Sequence, residues 1–265
     1  YKRQPKMELD NCVVTYKDIE NIWTQHEQEL GEHNEDRLER FNKRLSEHDN
    51  SLGEFLQRTK STVAQMVQQF QMKQAADLDA RTSFAKTGVL NTNNMINYRW
   101  SEDIFLKNEV HADGKNHGII MYLDWSGSMT GIIKETVEQL LILTEFCNKV
   151  NIPFDVYAFS SKEHPNCEAT DSADGELNYI NNDDAEVLRP HRFSLLQFLS
   201  SDMKTREYKN AVSKLYHLAS TSYYDVPKQL GMGCTPLNEA IMCAFQQVPA
   251  FQAKHDIQIV NTVFL

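Results

Sequence analysis

The sequence predicts an α/β protein: a doubly wound, mostly parallel sheet preceded by a long α-helical or coiled-coil segment. Three observations carry that expectation. Residues 16–81 contain no proline and are rich in Glu, Gln, Lys, Arg and His. From His117 onward, short apolar runs alternate with longer amphipathic stretches, as in layers of strands and helices. Two turns of small residues, "DWSGS" at 124–128 and "GMGCTP" at 231–236, stand at the joints of that alternation.

Residues 1–81 form the helical arm. Its apolar residues recur at Leu38, Phe41, Leu45, Leu52, Phe55, Leu56, Val63, Met66 and Phe70, in steps of three, four and seven. The stripe lapses at His48 and Asp49, and Gly31 and Gly53 each weaken a helix by roughly 1 kcal/mol relative to alanine. Two or three helices are therefore expected, packed as a hairpin or against a partner, with a solvated arm as the alternative. Residues 82–116 lose the helical period and alternate apolar clusters with Asn, Asp and Gly, the mark of strands and turns. "ADGKN" at 112–116 has the composition of a hairpin turn.

Residues 117–265 form the α/β domain. "GIIMYLD" at 118–124 reads as a buried strand, 132–150 as a helix with one apolar face, and "PFDVYAFS" at 153–160 as a second strand. Such a βαβ unit pairs its strands in parallel through a right-handed crossover. Residues 161–191, rich in Asn, Asp and Glu, read as a surface insertion. "FSLLQFLS" at 193–200 and "REYKNAVSKLYHLAS" at 206–220 both read as helical. The turn at 231–236 then opens another helix, and "DIQIVNTVFL" at 256–265 reads as a terminal strand.

Composition narrows the function. A formal net charge of −10 on 265 residues argues against nucleic acid, whose phosphates need a basic face. No run of 18 apolar residues exists, so no membrane span is expected. Five cysteines, an odd number without a CxxC pair, fit free thiols in a reducing cytoplasm. The chain opens at Tyr1 without methionine and stops in a strand, and both ends are read as cut from a longer protein.

The turn after the first strand holds Asp124, Ser126 and Ser128 at alternate positions. A hydrolase elbow needs G-x-S-x-G, but Asp124 and Ser128 stand where the glycines belong. A phosphate loop needs Gly-Lys-Ser or Gly-Lys-Thr, and neither occurs. "HEQEL" at 26–30 lacks the second histidine of a zinc protease, and His164 with Cys167 have no second pair nearby. Hard oxygen donors at i, i+2 and i+4 instead suit Mg²⁺ or Mn²⁺. The 231–236 loop should lie beside them and offers Thr235, with Pro236 at a plausible first helical position.

Together, "DWSGS" and "GMGCTPLNEAI" resemble the metal-ion-dependent adhesion site of a von Willebrand factor A domain, over residues 117–265. The resemblance implies Ser126, Ser128 and Thr235 as direct ligands of Mg²⁺ or Mn²⁺, and Asp124 as an outer or switching one. An open coordination position would accept a carboxylate from a protein partner. The third loop of the family's site would follow Leu265, and Cys234 stands where glycine commonly precedes the threonine. Trp125 is expected to pack beside the metal loop. Upstream, "TGVLNTNNMINYRWSEDIF" leading into "HGIIMYLDWSGSM" resembles bacterial and phage-encoded cobaltochelatase T-subunit-like proteins. Those pair an A domain with a ring-forming AAA+ ATPase of the MoxR class, which implies a cytoplasmic adaptor without catalytic activity of its own. Two alternatives stay open: a cobaltochelatase subunit serving cobalt insertion into a corrin ring, and a peptidase or other hydrolase.

Overall fold

The computed structural model describes residues 6–33, 35–81, 83–93, 95–100, 105–110, 116–162, 187–188, 192–221 and 226–265. Two compact units are present: Tyr1–Val63 with Asn116–Leu265, and Ala64–Lys115. The second boundary falls within a residue of the one read at 116, whereas the first falls at 63/64, inside the helical arm. The cause of that shift is that the first part of the helical arm buries its apolar stripe in the core of the α/β domain.

The chain begins with the short strands β1 (Lys6–Met7) and β2 (Val13–Val14), followed by helices α1 (Tyr16–His33) and α2 (Glu35–Arg81). Helix α2 runs unbroken through Gly53, so the arm is two helices. Phe41, Leu52, Phe55 and Val63 are buried, with Leu38, Leu45 and Leu56 packed against the same core. The lapse in the stripe has a structural meaning. His48 lies 2.8 Å, Nδ1 to Nδ1, from His217, and Asp49 accepts a hydrogen bond from Ser213. Polar partners replace apolar packing for one turn. The solvated-arm alternative does not hold for residues 16–63.

In the smaller unit, β3 (Ser83–Leu90) and β4 (Phe105–Val110) pair antiparallel, as the strand-rich reading of this segment anticipates. Residues 111–115, which hold most of the expected "ADGKN" turn, lie outside the described residues, as do His164 and Cys167.

The larger unit continues with β5 (His117–Asp124), α3 (Ile133–Val150), β6 (Phe154–Ser160), β7 (Val187–Leu188), β8 (Ser194–Ser200), α4 (Thr205–Ser220), α5 (Leu237–His255) and β9 (Ile259–Phe264). Five strands form one sheet in the order β2-β8-β6-β5-β9, and β1 pairs separately with β7. All neighbours in the sheet are parallel except β6 and β8. The architecture is thus a mixed α/β fold with a mostly parallel sheet and a long N-terminal helix.

Burial explains why β5 is a strand without alternation. Ile120, Met121, Tyr122 and Leu123 are all 0% exposed, so both faces of the strand are covered. Met121 and Leu123 join the core shared with α1, α2, α3 and α4, whereas Ile120 and Tyr122 join the core under α5. The same cause corrects the helical reading of 193–200. "FSLLQFLS" is a continuous apolar run too short for periodicity to decide. It forms β8, with every described residue of the strand but Gln197 buried. Helices α3 and α5 stop at Asn151 (φ 55°) and Asp256 (φ 49°), residue types that tolerate the left-handed turn ending a helix. Cys12, Cys147 and Cys243 are buried and Cys234 is exposed, all four as free thiols. Among the described residues, no helix is long and apolar enough to cross a membrane.

Candidate metal centre

The position of the site follows from the strand order. From β5 the chain crosses through α3 to β6 on one side, and later through α5 to β9 on the other. Both neighbours are parallel to β5, so all three carboxyl ends point the same way. A crevice outside the strand ends at such a reversal is where open α/β sheets bind ligands. Asp124 is the last residue of β5.

Backbone pairing then fixes the local geometry. Asp124 N–H donates to Leu265 O at 2.9 Å, on the β9 side, and Trp125 N–H donates to Phe159 O at 3.1 Å, on the β6 side. Past the end of β6, Gly233 takes over as the partner. Its N–H donates to Trp125 O at 3.1 Å and its carbonyl accepts from Gly127 N–H at 2.9 Å, so Ser126 and Gly233 form a parallel bridge. The loop 231–236 therefore lies beside "DWSGS", as expected, and Thr235 follows two residues after the clasp. Helix α5 begins at Leu237, with Pro236 flanking it one position earlier than the sequence reading placed the first turn.

The side chains at this point are hydroxyls and a carboxylate. Ser126 Oγ lies 2.9 Å from Ser128 Oγ; Ser126 is 2% exposed, whereas Ser128 and Thr235 are exposed. Asp124 is half-buried, and its Oδ1 is buried with no hydrogen-bond partner. An unmet buried acceptor costs about 1–3 kcal/mol, more when charged, so this atom asks for a donor or a cation. Trp125 packs beside the loop as anticipated. It is 1% exposed, donates from Nε1 to Leu230 O at 2.8 Å, and lies 5.3 Å from the Phe198 ring.

Three features here escape a sequence reading. Ser161 Oγ accepts from Cys234 N–H at 2.7 Å, pinning the residue before Thr235. Gly233 sits so close to the end of β6 that a Cβ there would stand 2.5 Å from Ser161 Oγ, 2.8 Å from Ser160 Oγ and 3.0 Å from Ser161 N. Glu239, one turn beyond Thr235, is a buried carboxylate in the first turn of α5, the helix end that favours negative charge. Small polar residues closing β6 ("FSSK") were the available signal for the first two.

Among the described residues, no group of three or more His, Cys, Asp or Glu side chains is placed to hold a metal ion. A hydroxyl-rich site with one carboxylate at its centre is a different donor set. It fits a hard, oxygen-seeking cation and disfavours zinc or copper. The residues present are therefore compatible with Mg²⁺ or Mn²⁺.

No family model, curated protein or solved structure matches this chain. The functional reading rests on the site's own chemistry and on the sequence resemblance.

Proposed function

We propose that the chain is a metal-dependent protein-binding adaptor with a von Willebrand factor A-type domain. In this reading Ser126, Ser128 and Thr235 hold Mg²⁺ or Mn²⁺ directly, and Asp124 acts from an outer or switching position. The bound ion would supply a positive centre with a position free for a carboxylate of the partner protein. The partner assembly is a MoxR-class AAA+ ATPase ring, working in a chelatase- or chaperone-like complex.

One observation carries the proposal. The Ser126–Gly233 pairing brings two hydroxyl-bearing loops together at the end of β5, where the buried Asp124 Oδ1 has no hydrogen-bond partner among the described residues. Among the described residues, neither serine is hydrogen-bonded to a base: Ser126 Oγ meets Ser128 Oγ, His217 is hydrogen-bonded to His48, and His255 lies by Asp202. The arrangement supports binding more readily than hydrolysis.

The test is co-purification of the chain with a MoxR-class AAA+ ATPase, in Mg²⁺ and again in chelator. A complex in Mg²⁺ that is lost in chelator is the expected result. Ser126→Ala or Ser128→Ala should keep the circular dichroism of the wild type and lose metal-dependent binding. Magnesium at a hundred times its Kd should also stabilise the wild type against urea by roughly 2.7 kcal/mol, and neither variant. A complex indifferent to chelator, or a variant that unfolds, overturns the assignment.

A further inference from the structure

A second site lies within the larger unit, on the helical side of the sheet. The part of α2 before Ala64 crosses α3 and α4 and leaves a groove of about 520 Å³. Its floor is aliphatic: Leu52, Leu56 and Val63 from α2, Leu141 and Ile142 from α3, and Val212 from α4. Three lysines from the same three helices, Lys60, Lys149 and Lys209, stand around it.

We infer that this groove binds a single-chain amphiphile, an aliphatic tail under an anionic head, of the fatty-acid class. Four observations converge. First, the hydroxyls lining it are already committed. Tyr208 donates to Thr144 at 3.0 Å, Thr59 to the Phe55 carbonyl at 2.9 Å, and Ser213 to Asp49. The interior offers carbon surface and asks for no polar ligand atom.

Second, the lysines are not committed. Among the described residues, none of Lys60, Lys149 and Lys209 is in an ion pair. The lining holds two carboxylates, Asp49 and Glu145, against three ammonium groups, so the cations are in excess by one. A cationic rim over an aliphatic floor is complementary to an anionic head on an aliphatic tail. It also stands out on a chain with a net charge of −10.

Third, Gly53 lines the groove. A glycine inside a helix costs roughly 1 kcal/mol relative to alanine and usually has a local reason. Here Gly53 is exposed and a Cβ would meet nothing within 4 Å, so among the described residues the space at the groove's edge is open. Fourth, size decides between a small ligand and a protein. The volume falls within the roughly 300–1,000 Å³ of ligand pockets. Fifteen lining residues fall short of the roughly 20–30 that each side of a stable protein interface contributes.

This inference is independent of the metal reading, and its test does not use the metal site. Sodium laurate is titrated below its micelle-forming concentration into the full-length chain in chelator, followed by calorimetry. Saturable one-to-one binding is expected, with dodecyltrimethylammonium, the same tail under a cationic head, at least roughly tenfold weaker. Gly53→Leu should fill the groove and reduce laurate binding by roughly tenfold or more. The paired change Lys60→Glu with Lys209→Glu should do the same while leaving the apolar floor intact, which covers the case of a Gly53 variant that misfolds. No saturable laurate binding, equal affinity for the two heads, or laurate binding unchanged in a folded Gly53→Leu protein would each overturn the assignment.

Discussion

Acid should weaken this fold through one buried histidine. His217 on α4 is 0% exposed, and its ring lies edge-on to Trp23 of α1 at 5.6 Å and to Phe41 of α2 at 5.4 Å. Its Nδ1 meets His48 Nδ1 at 2.8 Å, a bond with room for one proton, and its Nε2 is buried without a partner. Burial, helped by His48 and Arg44, holds its pKa down from the ordinary 6.5 to about 4. His48 is lowered as well, by burial first and then by Lys134, with Glu47 and Asp49 opposing.

The sign follows from which state binds the proton. Below about pH 6.5 the unfolded chain protonates this imidazole and the folded chain does not, so stability falls with pH until the folded group titrates near 4. At 1.36 kcal/mol per pKa unit, the loss is about 2 kcal/mol at pH 5 and about 3 kcal/mol near pH 4. Buried Asp155 has the opposite sign, because its carboxyl pKa is raised in the folded state, chiefly by burial. Its contribution is removed by comparing urea unfolding of the wild type with His217→Phe at pH 8 and pH 5. The wild type should lose about 2 kcal/mol more than the variant between those conditions. Equal losses, or an NMR titration of His217 centred near its ordinary value, would refute the reasoning.

Two further expectations concern the loop clasp. Gly233→Ala drives a methyl against the Ser160 and Ser161 hydroxyls and against Ser161 N, a backbone atom that cannot rotate away. It should cost about 1–3 kcal/mol in urea unfolding and weaken Mg²⁺-dependent partner binding. Gly131→Ala, where nothing lies within 4 Å, should change neither, and equal effects of the two would argue against the clasp. Trp125→Phe removes the indole donor to Leu230 O and leaves that carbonyl unmet, for a loss of about 1–3 kcal/mol. A variant as stable as the wild type would show that the bond does not hold the loop.

What was legible in the sequence was local or strongly periodic. The apolar run ending at Asp124, the helix after it and the parallel second strand all follow from nearest-neighbour pattern, and so does the glycine-rich turn beside Ser126. What was not legible depends on partners far along the chain. Strand β8 looks helical because both faces are buried, which erases the alternation that marks a half-exposed strand. Strand β2 is two residues, Val13 and Val14, and exists only because Leu195 and Leu196 stand opposite. The docking of α2 was obscured where it is most specific. His48 and Asp49 break an apolar stripe in sequence but meet His217 and Ser213 across space. At the site itself, Asp124, Ser126 and Ser128 stand out by their spacing, whereas Ser160, Ser161 and Gly233 acquire meaning only when two strand ends meet.

The arrangement at Asp124 also bears on the proposed cation. A fold selected for stability alone gains nothing from a carboxylate oxygen left unmet at the end of β5. Nor does it need two serine hydroxyls 2.9 Å apart or a loop held by a glycine that excludes every side chain. The unmet oxygen is a local cost that a simpler residue would remove. The core does not require that oxygen: Tyr122 and Leu123 before Asp124 and Trp125 after it are buried. The cost sits where the strand order reverses, the place at which loops can diverge without disturbing the sheet. A bound cation converts the same features into favourable terms, since it meets the carboxylate oxygen and accepts the hydroxyl lone pairs together.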